Sequence, residues 1–544
     1  MQTVFDVFSQ SVKNYGDRPF LHIPASAARG YSDGALDYTY GEMNGEAEKR
    51  TAAYRNAGYG PGHRVAILLE NRPDFFFHWL ALNALGVGII PLNGEASPQD
   101  IHYIIFHGDA DLVVSLPEKM TLVQEALDLE TDADRPPLCA SDLNDLPAAD
   151  RPAETFTPDS TTECAMLFTS GSTGQPKGCV LSNEYFTAFG DWYRNVGGYC
   201  ELKPGEDRLL TPLPLVHMNA LACSTMGMMA VGGCIIQLDR FHPGSWWKSV
   251  RDSGATIVHY LGVLPAILLN MDPTDDDTAH NVRFGFGAGV NPKHHAAFEE
   301  RFGFPLIEAW AMTESGCGGC IIASHEPRHV GECCFGKATD QVEFRLVDDD
   351  GVDVEKGLPG ELLVRAAGDN PRCGFFDHYH KNEDATAEIW EDNWLHTGDI
   401  ARQGPDGSLY FVDRKKNVVR RSGENISALE VENVLLLDPA VDSVAVAPVY
   451  DEMRGDEVMA LIVPKAGQTA GEPLAREIFD RSMEQLTYYK TPGYIAFVTE
   501  MPLTASKKLK RGDVKTLCGK LVEEKNAIDL RHLKKRPKKQ GATA

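Results

Sequence analysis

Residues Thr169–Gly178 read TSGSTGQPKG and follow directly on the strand-like run ECAMLF. Three glycines, four hydroxyl side chains and one lysine fall within these ten residues. In such a loop, Thr169, Ser170, Gly171, Ser172, Thr173 and Gly174 can turn their backbone N–H groups toward phosphate oxygens, while Lys177 neutralises charge. The stretch is not the common P-loop, which needs four residues between its glycines and then Gly-Lys-Ser/Thr opening a helix. Here only two residues separate Gly171 from Gly174, Lys177 follows Pro176, and the apolar run Cys179–Leu181 comes next. A phosphate-binding loop between two strands is the reading.

Outward from that loop, apolar runs of strand length alternate with amphipathic helical stretches through roughly the first 410 residues. Examples are Val65–Leu69, Leu112–Leu116, Cys164–Phe168 and Ile257–Tyr260, with helix-like segments such as Pro73–Leu85 between them. This alternation predicts α/β layers with parallel pairing. The most apolar stretch, Phe75–Leu92, contains His78, Asn83, two glycines and Pro91, so it reads as a buried helix passing into a strand and not as a membrane span. Glu130–Asp159 and Met271–Asn281 read as solvated connections. After Gly404 the string GPDGSLYFVDR predicts a hairpin turning at PDG. Beyond Arg414 the pattern changes to a smaller unit, with strands Val444–Pro448 and Val458–Val463 and a helix around Ala475–Leu486.

The composition narrows the function classes. Of 544 residues, 52 are Lys or Arg and 78 are Asp or Glu, a net charge of −26 that repels nucleic acid backbones and anionic membranes. The basic run Arg531–Lys539 reads as a solvated tail. Twelve cysteines spread along so long a chain form no disulfide framework and fit a reducing cytoplasm. Cys317-x-x-Cys320 with Cys333-Cys334 invites a zinc reading, but adjacent cysteines rarely both reach one tetrahedral ion.

The loop resembles the phosphate-binding signature of the acyl-adenylate-forming (AMP-binding) superfamily, and further motifs of that family recur in the expected order. The resemblance implies an α/β chain with a large multi-layer N-terminal domain of mixed and parallel sheets and a small mobile C-terminal α+β domain. The corresponding boundaries are 1–413 for the adenylation domain, 414–416 for the hinge, 417–525 for the small domain and 526–544 for a basic tail. His217 and Asn219, in LPLVHMNA, fall where the family lines its acyl pocket, as do Met312 and Ser315. Gly287, Ala288 and Gly289 match the small-residue segment under adenine. In EAWAMTES, Glu308, Ala309 and Trp310 would meet adenine, Thr313 the α-phosphate, and Glu314 a Mg²⁺ ion.

WLHTGD places Asp399 at the ribose hydroxyls, and Arg414 at ribose or phosphate. The hinge falls on Lys416, with Asn417 where the family usually has aspartate. Ser422, Gly423 and Glu424 match the loop that meets the coenzyme A thiol arm. PLTASKKLKR delivers the adenylation lysine, Lys508 by register, although Lys507 stands where a glycine is usual and competes for the role. The implied reaction joins a carboxylic acid to CoA through an acyl-AMP, with ATP, Mg²⁺ and CoA as cosubstrates and cofactor. A chain of this kind is expected as a monomer or homodimer without nucleic acid or membrane partners. The texture around GVNPKHHAAFEERFG and EAWAMTE is most similar to carnitine/crotonobetaine-type CoA ligases. A carrier-protein thiol as acceptor, or a nucleotide-binding protein without ligase activity, remain alternatives at this level.

Overall fold

The structure, a computed structural model, describes residues 2–27, 31–131, 135–169, 175–421, 424–452, 454–503 and 509–534. By internal contact the chain divides into two units. The first comprises residues 1–345, 363–397 and 404–410, and the second 346–362, 398–403 and 411–544. The mixed α/β class expected from the sequence is the one observed.

Two sheets organise the larger unit. One has the strand order Ile321–Ile322, Leu306–Trp310, Phe284–Ala288, Ile257–Leu261, Arg208–Thr211, Cys234–Gln237, Pro19–Ile23 and Leu36–Thr39. Its interior pairs are parallel and its two edge strands antiparallel. The other runs His378–Tyr379, Lys177–Ser182, Glu163–Thr169, Gly88–Pro91, Arg64–Leu68, Leu112–Ser115 and Leu138–Ala140. The Leu138–Ala140 strand lies inside a stretch expected to be a plain connection. It pairs parallel with Leu112–Ser115 at the sheet edge, where three residues are too few to leave a periodic signal.

Strands such as Gly88–Pro91 and Leu112–Ser115 are buried at every position, as parallel strands covered on both faces must be. The helix Pro73–Asn83 starts with proline at its first turn and is buried from Phe75 to Asn83. His78 and Asn83, on the buried stretch, are hydrogen-bonded inside the core. Asn83 accepts from Phe5 N and donates to Asn183 Oδ1, which also accepts from Val4 N, so two buried amides cap the first turn of the Val4–Tyr15 helix. His78 lies 2.7 Å from the Tyr54 hydroxyl and 2.9 Å from Ser141 O.

In the smaller unit the sheet runs Glu424–Ile426, Val419–Arg421, Gly455–Pro464, Tyr494–Phe497 and Ile528–Asp529, with Val441–Asp451 also paired to Gly455–Pro464. Helices Ala428–Leu435 and Glu472–Met483 contribute to one hydrophobic cluster on this sheet, and Arg511–Glu523 to a second. The basic run from Arg531 is not simply solvated in its described part. Ile528 and Asp529 extend the sheet, and Arg531 pairs with Asp451 and Asp529. The Lys534 side chain is fully buried, 2.6 Å from Glu457, which also accepts from Arg421. A buried carboxylate that needs cations explains why a lysine from a basic run turns inward.

Burial pushes His78 down to about 3, with Arg50 adding to the effect, and burial alone does the same to His259. Both folded-state values lie below that of an exposed histidine, so the fold holds the neutral ring. The stability this contributes is full above pH about 6.5 and is lost as pH falls toward about 3. The thermal midpoint is expected to drop steeply across that window, and His78→Asn to show a shallower slope. A flat profile from pH 6.5 to 3 contradicts the assignment.

Candidate active site

Three parallel strands of the larger unit, Ile257–Leu261, Phe284–Ala288 and Leu306–Trp310, end together, with Tyr260 opposite Gly287 and Gly287 opposite Glu308. The crevice beyond the carboxyl ends of such strands is where open α/β sheets bind ligands. Glu308 organises this edge. Its carboxylate is buried and accepts from Gly289 N at 3.0 Å, Val290 N at 3.1 Å and the Tyr260 hydroxyl at 2.9 Å. Burial raises its pKa, opposed by those hydrogen bonds. Three of about four lone-pair positions are thereby taken, so this side chain has a structural task whatever else it meets.

The backbone beside it is held open. A Cβ on Gly287 would sit 2.3 Å from Tyr260 O, and Gly289 has φ +79 with nothing near its Cβ position. Ala288 and Gly289 are exposed, which leaves a bare backbone shelf at the strand end. Ala309 follows Glu308 on the strand, and Trp310 is buried with Phe335 6.3 Å away.

After Trp310 the chain turns sharply. Ser315 Oγ accepts from Met312 N at 3.0 Å and lies 3.2 Å from Met312 O, while Thr313 is half-buried between them. Glu314 is buried. Its Oε1 accepts a 2.7 Å hydrogen bond from Tyr379, and the Thr169 hydroxyl lies 3.5 Å away. Thr169 and Lys177 stand opposite each other in the hairpin that flanks the Ser170–Gly174 loop. Lys177 Nζ sits 4.7 Å from the Tyr379 ring centre, a cation–π distance. Burial and the neighbouring carboxylate push the Tyr379 hydroxyl far above its ordinary range, so it stays a donor.

Thus Thr169, Lys177, Glu314 and Tyr379 meet in one place. Glu314 and Thr169 offer hard oxygen donors of the kind Mg²⁺ takes, and among the described residues no group of three His, Cys, Asp or Glu side chains converges there. These residues fit an ion completed by phosphate and water oxygens. Tyr379 escapes a reading by motif because it lies 65 residues from Glu314 and is brought to it by the pairing of His378–Tyr379 with Lys177–Ser182.

His217 is exposed, and Asn219 opens a π-helical turn, Asn219–Ser224. In the smaller unit Asp399 is buried, with Arg414 Nε 3.1 Å from its Oδ1. Lys416 falls in the single 3-10 turn Lys415–Asn417. Asp413, just before it, accepts from Ser427 Oγ, Leu429 N and Asn417 Nδ2. An aspartate at position 417 would set two carboxylates against each other, so Asn417 is the residue this arrangement favours. Glu424 begins the strand Glu424–Ile426. Ser170–Gly174, Ser422, Gly423, Lys507 and Lys508 lie outside the described residues.

This fold is that of adenylate-forming enzymes. The AMP-binding enzyme family matches residues 8–369, and its C-terminal domain matches residues 430–508. The chain belongs to the AMP-binding enzyme family. It is 28% identical over 496 residues to a crotonobetaine/carnitine–CoA ligase of Shigella sonnei, covering 88% of this chain and 93% of that relative. Among solved structures it is similar to o-succinylbenzoate CoA synthetase from Bacillus subtilis in complex with the acyl-adenylate intermediate OSB-AMP. The TM-score is 0.78 and the identity 23%, covering 94% of this chain and 98% of that one. An anthranilate CoA ligase in complex with anthranoyl-AMP gives a TM-score of 0.80 at 20% identity, covering 96% and 98% of the two chains.

Tyr379→Phe keeps the ring beside Lys177 and removes only the hydroxyl that Glu314 accepts. Mg·ATP affinity, measured by calorimetry, is expected to fall by about tenfold, the scale of one hydrogen bond to a charged group. An unchanged affinity contradicts the role given to Tyr379.

Proposed function

We propose that this protein is an AMP-forming carboxylate–CoA ligase. The observation that carries the reading is the convergence of Lys177, Thr169, Glu314 and Tyr379 beside the Met312–Ser315 turn, next to the open Gly287–Gly289 shelf. It is supported by membership of the AMP-binding family.

In the first step a carboxylate oxygen of the acid bonds to the α-phosphorus of ATP, the bond to the bridging oxygen breaks, and pyrophosphate leaves. Both reactants are anions, so catalysis is chiefly positioning and charge neutralisation. Lys177 binds phosphate oxygens beside the Thr169–Gly174 loop, and Thr313 donates to the α-phosphate. Bound Mg²⁺, held through Glu314 with the Thr169 hydroxyl nearby, would neutralise phosphate charge. Trp310 and the Gly287–Gly289 backbone receive adenine, Asp399 the ribose hydroxyls, and Arg414 the ribose or phosphate. Lys508 brings a cation between carboxylate and α-phosphate.

In the second step the CoA sulfur bonds to the acyl carbon, its proton is lost to solvent, and AMP leaves. The small domain, 417–525, turns about Lys416 within the 414–416 hinge, withdrawing Lys508 and presenting Ser422, Gly423 and Glu424 to the thiol arm. The 1–413 domain keeps the adenylate. The acid is a small or medium one, bounded by His217, Asn219, Met312 and Ser315.

AMP and pyrophosphate release from Mg·ATP across a panel of carboxylic acids, with and without CoA, tests this. One or more acids should give CoA-dependent AMP release. Lys508→Ala should reduce it by about a hundredfold or more, the scale of removing one transition-state charge partner, while Lys507→Ala leaves it largely intact. Equal losses in the two variants contradict the lysine assignment. ATP binding without turnover of any acid contradicts the ligase reading.

A further inference from the structure

The helix Pro98–His107 gives no residue to the reaction, yet it touches the chain on both sides of the Lys177–Tyr379 pair. Its own position is well fixed. Ser97 and Asp100 form a reciprocal capping box, Pro98 opens the first turn, and Ile101, Ile104 and Ile105 are buried in a cluster with Ile90, Val113 and Met166. A helix held in this way presents Tyr103 and His107, four residues apart and so neighbours on its surface. Both are half-buried, and their rings stack 5.0 Å apart at an interplanar angle of 12°. Phe168, the residue before Thr169, sets its ring edgewise to both, at 6.2 and 6.1 Å.

The polar tips of the two rings reach different strands. The Tyr103 hydroxyl donates to Pro176 O at 3.0 Å, and Pro176 immediately precedes Lys177. Burial raises the pKa of that hydroxyl, which keeps it a donor. The His107 ring lies 5.8 Å from the His380 ring and hydrogen-bonds the His380 backbone, one residue after Tyr379. His380 is held from two further sides. Its N donates to Gly178 O at 2.8 Å, and its Nε2 stands 2.9 Å from Asp109, just beyond the end of the same helix. Lys381 adds a 2.6 Å pair with Asp109. One helix therefore grips the chain next to Lys177 and next to Tyr379, the two side chains that meet 4.7 Å apart beside Glu314. The two grips are separated by the rise of four helical residues, about 6 Å, a length that a hydrogen-bonded helix does not let vary.

We infer that Tyr103 and His107 are positioning residues for ATP, which set the place of Lys177 and Tyr379 from behind and thereby tune the grip on the phosphates. This rests on the ligase reading, in which Lys177 binds phosphate oxygens, and adds to it the residues that aim the lysine. A lysine carries its charge on a flexible four-carbon stem, so where that charge sits depends on the backbone beneath it. Loss of the Tyr103 hydroxyl frees the Pro176 carbonyl, and a small displacement there acts on the phosphate contact alone. The Gly287–Gly289 shelf belongs to the other sheet and shares none of these contacts, so a ligand held only there does not sense them.

Calorimetry with Mg·ATP and with adenosine tests this. Tyr103→Phe deletes one oxygen and keeps the stack on His107. Mg·ATP affinity is expected to fall by about fivefold, the scale of one neutral hydrogen bond, while adenosine affinity and the thermal midpoint stay near wild type. His107→Phe, which removes the bond to the His380 backbone, should act in the same direction. In a Lys177→Met background, Tyr103→Phe should change Mg·ATP affinity by less than about twofold, because a residue that acts through Lys177 then has nothing left to aim. A merely structural role would weaken both ligands alike and would add to the loss from Lys177→Met. Equal losses for Mg·ATP and adenosine, an unchanged Mg·ATP affinity, or the full loss repeated in the Lys177→Met background overturns the inference and leaves the ligase reading standing. A wild-type protein that binds no Mg·ATP overturns the ligase reading instead.

Discussion

The carboxylate of Glu308 ties the ends of three parallel strands into one edge. It takes hydrogen bonds from Gly289 N and Val290 N beyond one strand and from the hydroxyl of Tyr260 on another, and it stands on a third. Removing those donors would leave a buried acid unsatisfied, a cost of the order of 1–3 kcal/mol or more. With them in place, Gly289 is held at positive φ and its backbone is open, and the chain leaves Trp310 in a fixed direction. The Met312–Ser315 turn, and through it Glu314, inherits that direction. Tyr379 and Lys177 then arrive from the second sheet of the same unit to meet Glu314. Positioning of this kind suits chemistry in which two anions must be brought together and no protein nucleophile is needed.

Much of this was legible in the sequence because it is local. The loop Thr169–Gly178, the string EAWAMTES and the strands around Val65, Leu112 and Ile257 carry their signal in adjacent residues, and the structure places those strands within a residue or so of expectation. The role of Tyr379 was not legible, since nothing in GFFDHYHKN announces a partner on a different element. Nor was the inward turn of Lys534, because a basic run gives no hint that one of its members will find a buried carboxylate. His259 stands on the Ile257–Leu261 strand, and its partners Tyr193, Ser224 and Asn219 are separated in sequence and reunited by packing.

In the smaller unit the same principle acts on charge. Asp413 gathers donors from Asn417, Ser427 and Leu429 at the base of the Lys415–Asn417 turn, and the asparagine departure from the family pattern adds one of those donors. Glu457 holds Arg421 and Lys534, and burial lowers the lysine to about 8, showing how costly its charge is there. Both clusters fix backbone position, one beside the Lys415–Asn417 turn and the other at the Val419–Arg421 and Gly455–Pro464 strands.

In the proposed mechanism the acid's own carboxylate attacks the α-phosphorus of ATP. The most direct measurement is to supply a turned-over acid with a heavy-oxygen label in its carboxylate and to analyse the AMP and pyrophosphate by mass spectrometry. One labelled oxygen is expected in the phosphate of AMP and none in pyrophosphate. Label appearing in pyrophosphate, or AMP formed without label, would contradict it.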